Sequence, residues 1–253
     1  MRLDTVLLKV ASRCNINCSY CYVYNQGDTS WQRQPKAMSP ETIQAVVSSL
    51  RQLQHDQNAD FAVVLHGGEP LLMPRPLLRA LLEGLAKAIP SCVRCIQTNG
   101  MLIDDEAIDL CDATNTTLSV SLDGPMAVHD RFRVSFAGNG TFDAALAGVD
   151  RIRRHPNANR LFTGVLCVID PTSDPVAVYN FFKCLNVPSV DFLFKDGNNS
   201  KLPPDKKGLH STEYGEWLAS VWDCYVADSN PPRIRILDDM ARLLLGGHSV
   251  KEG

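Results

Sequence analysis

The run Cys14-Asn15-Ile16-Asn17-Cys18-Ser19-Tyr20-Cys21 places three thiols close together near the start of the chain. Thiolates set this close are soft ligands that select zinc, copper(I) or iron–sulfur clusters. A structural zinc site needs a fourth ligand to close its tetrahedron. No fourth cysteine follows at the usual spacing, and His55 and His66 lie far away in sequence. A cubane cluster on three protein thiolates instead keeps one iron open, and an open position is what a catalytic metal needs. A zinc knuckle completed by a distant histidine, or three unrelated thiols, are the plainer readings of the same residues. A second cluster of interest is His66-Gly67-Gly68-Glu69-Pro70. Its glycines allow close backbone approach to a ligand and its carboxylate could accept from an ammonium group, although a Gly-Gly turn alone is commonplace.

A ligand loop needs a rigid mount. Apolar runs rich in β-branched residues recur at 5–11, 61–65, 93–97, 116–121, 161–169 and 190–194, which predicts six strands. Segments of helical length and period lie between them at 40–53, 75–89, 104–112, 142–154 and 174–185. Ser39-Pro40-Glu41 and Ser173-Asp174-Pro175 predict helix starts, each with a capping hydroxyl and a first-turn proline. Alternating strand and helix demands a parallel α/β sheet with right-handed crossovers, either a partial barrel or a doubly wound sheet. The cysteine run then falls at the carboxyl end of the first strand, where such folds carry their chemistry. After Phe194 the pattern turns polar over 195–208, followed by an aromatic helix near 213–227 and another near 237–245. This predicts an α/β unit over 1–195 and a helical extension over 196–253 that covers it. The chain stops in a glycine-rich, charged stretch and is expected to be a natural short form or a fragment.

Composition narrows the partners. With 253 residues, 45% of them hydrophobic, the chain can bury a sizeable core. A net charge of -3 and the lack of a long basic run give no footprint for nucleic acid or an anionic membrane. No secretory signal and no apolar run of membrane-spanning length are visible. Nine cysteines, an odd number, suit a reducing compartment, so a soluble cytoplasmic protein without disulfides is expected. Cys92 and Cys95 read as a buried structural pair, and Cys111, Cys167, Cys184 and Cys224 as core thiols. Only one metal centre is therefore expected.

CNINCSYC matches the CxxxCxΦC signature of the radical S-adenosylmethionine (SAM) superfamily, with Tyr20 at the aromatic position, and the chain resembles that superfamily. The resemblance implies a partial (β/α)6 TIM-like barrel with a C-terminal helical tail. It implies one 4Fe-4S cluster on Cys14, Cys18 and Cys21, with SAM chelating the open iron through its methionyl amine and carboxylate. Reductive cleavage of SAM then yields a 5′-deoxyadenosyl radical that takes a hydrogen atom from substrate. By the same resemblance Gly67, Gly68 and Glu69 answer to the GGEP motif at the cofactor's amine, and Tyr20 belongs to the cofactor site. Thr98 and Asn99 would serve the ribose hydroxyls, and Val168 would wall the adenine. The run from Ser121 to Arg133 is similar to an SLDGP/HDxxR pattern, which implies Ser121 on the ribose and Arg133 on the carboxylate. Taken alone, these segments also read as an Asn-Gly turn, a surface ion pair and ordinary core.

Further stretches, SWQRQPKAMSPETI, LCVIDPTSDPVAVY, VDFLFKDGNN and LLLGGHSVKEG among them, look like the maturases that build carbon–carbon crosslinks in ribosomally made peptides. That branch implies a cyclophane product, a precursor peptide as substrate and an external electron donor such as flavodoxin or ferredoxin. Its members usually continue into a SPASM-type domain carrying auxiliary clusters, and this chain ends where that domain would begin. Sulfatase-maturing, formylglycine-generating enzymes are the nearest alternative; they commonly show Gln where this sequence has His66. A catalytically silent partner that binds a leader peptide is a third reading, opposed by the intact cysteine triad.

Overall fold

The computed structural model describes residues 2–197, 202, 203 and 205–249. Six strands, β1 (Thr5–Ala11), β2 (Ala62–Gly67), β3 (Val93–Thr98), β4 (Thr116–Ser121), β5 (Phe162–Val168) and β6 (Val190–Leu193), pair in sequential order. Every pairing is parallel. Helices α1 (Pro40–Gln57), α2 (Arg75–Ala88), α3 (Asp105–Ala113), α4 (Met126–Phe132), α5 (Phe142–Arg154), α6 (Ala158–Leu161) and α7 (Pro175–Leu185) lie in the crossovers. This is the parallel α/β sheet that the alternation predicts, in the partial-barrel form that the resemblance implies.

Strand periodicity of two sorts the side chains. In β2, Val63 and Leu65 are buried while Val64 and His66 are half-buried on the opposite face; in β3, Ile96 and Thr98 are buried while Cys95 and Gln97 are not. The buried set meets α2, whose Leu78, Leu81, Leu82 and Leu85 recur at helical spacing and lie in the same core. Each such leucine stabilises the fold by about 1.5–3 kcal/mol. The other face is left for the site.

Several boundaries differ from expectation for local reasons. Helix α1 runs past 53 to Gln57 and stops where Asn58 turns left-handed at φ 47°. The cap of α7 is Asp174, whose carboxylate accepts from Val176 N–H at 2.9 Å; Ser173 instead donates to the Asp170 carbonyl and accepts from Trp217 Nε1. Helices α4 and α6 are too short to carry a periodic signal and were not expected. Cys184 is exposed, so it is not the core thiol expected, and Cys224 is half-buried, packed against the edge of the core; Cys111 and Cys167 are buried.

Helices α8 (Glu213–Ala227) and α9 (Arg235–Leu244) follow the barrel. Tyr214, Trp217, Leu218 and Val221 of α8 and Leu237 of α9 join the same hydrophobic core. Trp217 meets Phe192 edge-on at 5.2 Å between centroids, and Val190 N–H donates to the Arg233 carbonyl at 2.8 Å. Residues 198–201 and 204 of the polar stretch, and 250–253 of the closing motif, lie outside the described residues. Among the described residues, no helix is long and apolar enough to cross a membrane.

Candidate active site

The cysteine loop is held on two sides by backbone. On one side Gly68 N–H donates to the Ala11 carbonyl and Glu69 N–H to the Arg13 carbonyl, each at 2.9 Å. A Cβ on Gly67, which sits at φ +139°, would come within 2.2 Å of the Ala11 oxygen, and one on Gly68 within 2.3 Å of the Arg13 oxygen. The glycines thus let the end of β2 press against the chain entering the loop. On the other side Asn17 N–H donates to the Val134 carbonyl at 2.7 Å and Ser19 N–H to the Phe132 carbonyl at 3.0 Å. The strip that carries Arg133 is therefore also the strip that grips the thiol loop.

One cavity at the carboxyl ends of the strands is lined by Cys14, Cys18 and Cys21 together with Tyr20, Gly67, Gly68, Thr98, Asn99, Ser121, Arg133 and Val168. Residues spread from 14 to 168 thus converge on one space. Glu69 stands behind the wall. It is fully buried: Oε1 accepts from Leu71 N–H at 2.9 Å and from the Thr98 hydroxyl at 2.8 Å, and Oε2 accepts from Asn99 N–H at 2.8 Å. Asn99 also reaches Asn15 Oδ1 at 2.7 Å and Cys14 Sγ at 3.8 Å. Ser121 Oγ accepts from Gln97 Nε2 at 3.0 Å.

Opposite lies a charged cluster that includes Asp123, to which no role was expected. Asp123 accepts from the Tyr20 hydroxyl at 2.5 Å and from Val168 N–H at 3.1 Å, and stands 3.8 Å from Arg133. Arg133 Nη1 donates to the Tyr20 oxygen at 2.8 Å, while its buried Nε has no hydrogen-bond partner. Burial opposes the charge on Arg133, yet Tyr20 and Asp123 beside it hold its pKa well above the usual value. Burial pushes the Asp123 carboxyl up, with Arg133 pulling against it, and pushes Glu69 up against the three hydrogen bonds it accepts.

Lys195 and His66 are further wall residues that sequence reasoning did not assign. Lys195 Nζ lies 2.6 Å from Asp205 and 3.9 Å from the Phe132 ring centroid. Its position directly after β6, at the strand's carboxyl end, is the same signal that found the other loops. His66 pairs in register with Lys9, and burial, then Lys9, lowers its pKa.

Could the thiols hold a metal centre? All three are free, and burial pushes Cys14 up and Cys18 to about 11. A buried thiol kept protonated is no ligand by itself, but the positive charge of bound iron offsets that burial. Among the described residues, no three His, Cys, Asp or Glu side chains gather as tightly as one metal ion requires. Three thiolates on one loop are a donor set a cubane can use, since each then binds a different iron. The donor set therefore fits a three-thiolate cluster, and the orphaned Arg133 Nε fits an anionic ligand beside it.

A parallel β/α barrel with three thiols looped at the end of its first strand defines a class, and comparison supports it. The family described as the Radical SAM superfamily matches residues 8–176, and the chain belongs to that superfamily. A serine-type anaerobic sulfatase-maturating enzyme of Bacteroides thetaiotaomicron is 25% identical over 244 residues, covering 89% of this chain and 58% of that enzyme. A cysteine-type enzyme of the same description from Clostridium novyi is 25% identical over 260 residues, covering 98% and 67%. The solved structure of native anSMEcpe with bound AdoMet and Kp18Cys peptide superposes with a TM-score of 0.81 at 22% identity, covering 98% of this chain and 67% of that one. Streptococcus suis SuiB bound to precursor peptide SuiA gives 0.68 at 16%, covering 92% and 48%. These two structural likenesses show the fold. The chain spans 58% of the Bacteroides enzyme's length. The relatives named here single out no cyclophane-forming branch, and the sulfatase-maturating description matches well.

Proposed function

We propose that this chain holds a single 4Fe-4S cluster on Cys14, Cys18 and Cys21, binds SAM in the cavity beside them, and modifies a peptide. The observation that carries this reading is the convergence of the three thiols, Arg133 and the Thr98–Asn99 corner on one cavity. Together the two bound groups would supply a carbon-centred radical able to remove a hydrogen atom from an unactivated position. The chain's own residues orient them. Arg133, with Nε unshared, takes the methionyl carboxylate, and Glu69, sealed behind the wall, holds the Thr98–Asn99 corner in place beside it. Thr98, Asn99 and Ser121 offer hydroxyl and amide groups to the ribose, and Val168 an apolar wall. The other six cysteines are scattered from Cys92 to Cys224, which supports a single cluster in this chain.

For the product, we read an intramolecular carbon–carbon crosslink in a ribosomally made peptide, on the sequence stretches that resemble that branch. Formylglycine formation is the second reading, favoured by the sulfatase-maturating relatives. His66 bears on the choice because it lines the cavity, so the departure from Gln falls inside the site. Reduced, reconstituted protein should convert SAM to 5′-deoxyadenosine and methionine. Co-expression with a candidate precursor peptide, followed by tandem mass spectrometry, should show the loss of two hydrogens per crosslink without backbone cleavage. A formylglycine product from a sulfatase-derived peptide would overturn the crosslink reading and establish the second. No SAM cleavage at all would sink both and favour a silent peptide-binding partner.

A further inference from the structure

The guanidinium of Arg133 is aimed by its backbone, and that backbone is held from behind. Arg133 closes α4 at φ -97° and ψ 83°. The flanking carbonyls of Phe132 and Val134 face the cysteine loop and accept from Ser19 and Asn17. The Arg133 carbonyl is bound instead by the Thr141 hydroxyl at 2.7 Å. Thr141 Oγ1 lies 3.1 Å from His129 Nε2, and His129 Nδ1 accepts from Asp123 N–H at 3.2 Å.

The directions in this relay are forced. A backbone N–H can only donate, so Nδ1 must be bare. The His129 ring is buried, and burial with Arg133 nearby drops its pKa to about 3, so it is neutral and carries its single proton on Nε2. That proton goes to Thr141 Oγ1, whose own proton is then free for the Arg133 carbonyl. No donor is left over. The relay runs from the backbone N–H of Asp123, the counter-ion of Arg133, through the core, to the carbonyl of Arg133 itself.

We infer that His129 and Thr141 are positioning residues that set the aim of Arg133 at the carboxylate of the bound ligand, while steadying the strip on which the cysteine loop rests. This rests on the reading of Arg133 as the carboxylate anchor. It also gives the first residue of the HDxxR run a physical task. Asp130, the second, accepts from Thr141 N–H at 2.8 Å and Phe142 N–H at 2.9 Å, which anchors the segment bearing Thr141.

The test uses Thr141→Val, which removes the hydroxyl at nearly constant shape, Thr141→Ser, which keeps it, and Arg133→Ala. Dissociation constants on anaerobically reconstituted protein are measured for SAM and for decarboxylated SAM, which lacks only the carboxylate. Loss of one aiming hydrogen bond should weaken SAM about tenfold in Thr141→Val, with little change for the decarboxylated ligand, and Thr141→Ser should restore the preference. Equal weakening of both ligands, or of neither, overturns the inference. If Arg133→Ala narrows the preference and Thr141→Val does not, the relay is wrong and the anchor stands; if Arg133→Ala leaves the preference intact, the anchor reading itself fails. Amide hydrogen exchange on cluster-free protein gives an independent readout. Asn17 and Ser19 should exchange faster in Thr141→Val and at the wild-type rate in Thr141→Ser; unchanged exchange in both also counts against the relay.

Discussion

Two buried carboxylates stand at the same cavity and are satisfied in opposite ways. Glu69 is surrounded by neutral donors, two backbone N–H groups and a hydroxyl, drawn from residues that begin the loops after β2 and β3. Asp123 faces a cation, Arg133, with the Tyr20 hydroxyl between them. Neutral donors tie strand ends together and are largely used up in doing so. An ion pair leaves donors to spare, and here the spare one is Arg133 Nε. The first corner is a brace and the second an anchor, and the cysteine loop is clamped between them.

The largest expected effect tests what both corners serve. Cys18→Ala should take iron from roughly four per chain to background and abolish SAM cleavage, read by iron and sulfide analysis with product assay. Retained cluster and turnover in that variant would mean that the ligands are wrongly assigned.

The next effect separates brace from anchor. Glu69→Ala leaves three buried donors unpaired and should cost about 3–5 kcal/mol by denaturant titration, whereas Glu69→Gln, which keeps an acceptor, should cost about 1–2 kcal/mol. A Glu69→Ala protein of wild-type stability would erase the distinction between the corners.

A smaller effect concerns the relay behind the anchor. His129 has a folded pKa of about 3 against about 6.5 unfolded. Below pH 6.5 the unfolded chain takes up a proton that the folded chain refuses. His129 therefore contributes stability that is present above pH 6.5 and is lost on acidification, by up to about 1.4 kcal/mol per pH unit down to about pH 3. Glu69 and Asp123, whose carboxyls burial pushes up, slope the other way at the acid end. The quantity to read is thus the difference between wild type and His129→Gln across pH 4.5–7. A pH-independent difference would show that the ring is not held neutral by burial.

The smallest effect is a predicted absence. Cys184→Ser and Cys224→Ser, neither of which lines the cavity, should leave iron content unchanged, and the exposed Cys184→Ser should also keep stability within about 0.5 kcal/mol. A fall in iron would bring a scattered cysteine back into metal binding and break the single-cluster reading.

Much of this was legible beforehand because the signals are local. Six strands, the helices long enough to show a period, and the three thiols follow from short-range pattern and ligand chemistry, as does the placing of Thr98 and Ser121 at strand ends. The misses are instructive. Helices α4 and α6 have too few residues to show a period, and Asp174 rather than Ser173 caps α7 because Ser173 is recruited by Trp217 from the tail.

By itself, then, the sequence determined which side chains can bind iron, which runs alternate as strands, and which loops sit at strand ends, since each depends on neighbours a few residues away. Only the tertiary structure decided that Gly67 and Gly68 make room for the backbone of Ala11 and Arg13, that Glu69 is sealed behind the wall, and that Asp123 answers Arg133. The relay through His129 and Thr141 is likewise invisible in sequence. Hydrogen bonds between residues far apart in the chain have no spacing rule: they exist because packing excludes water from both partners and leaves each the other as its best remaining mate.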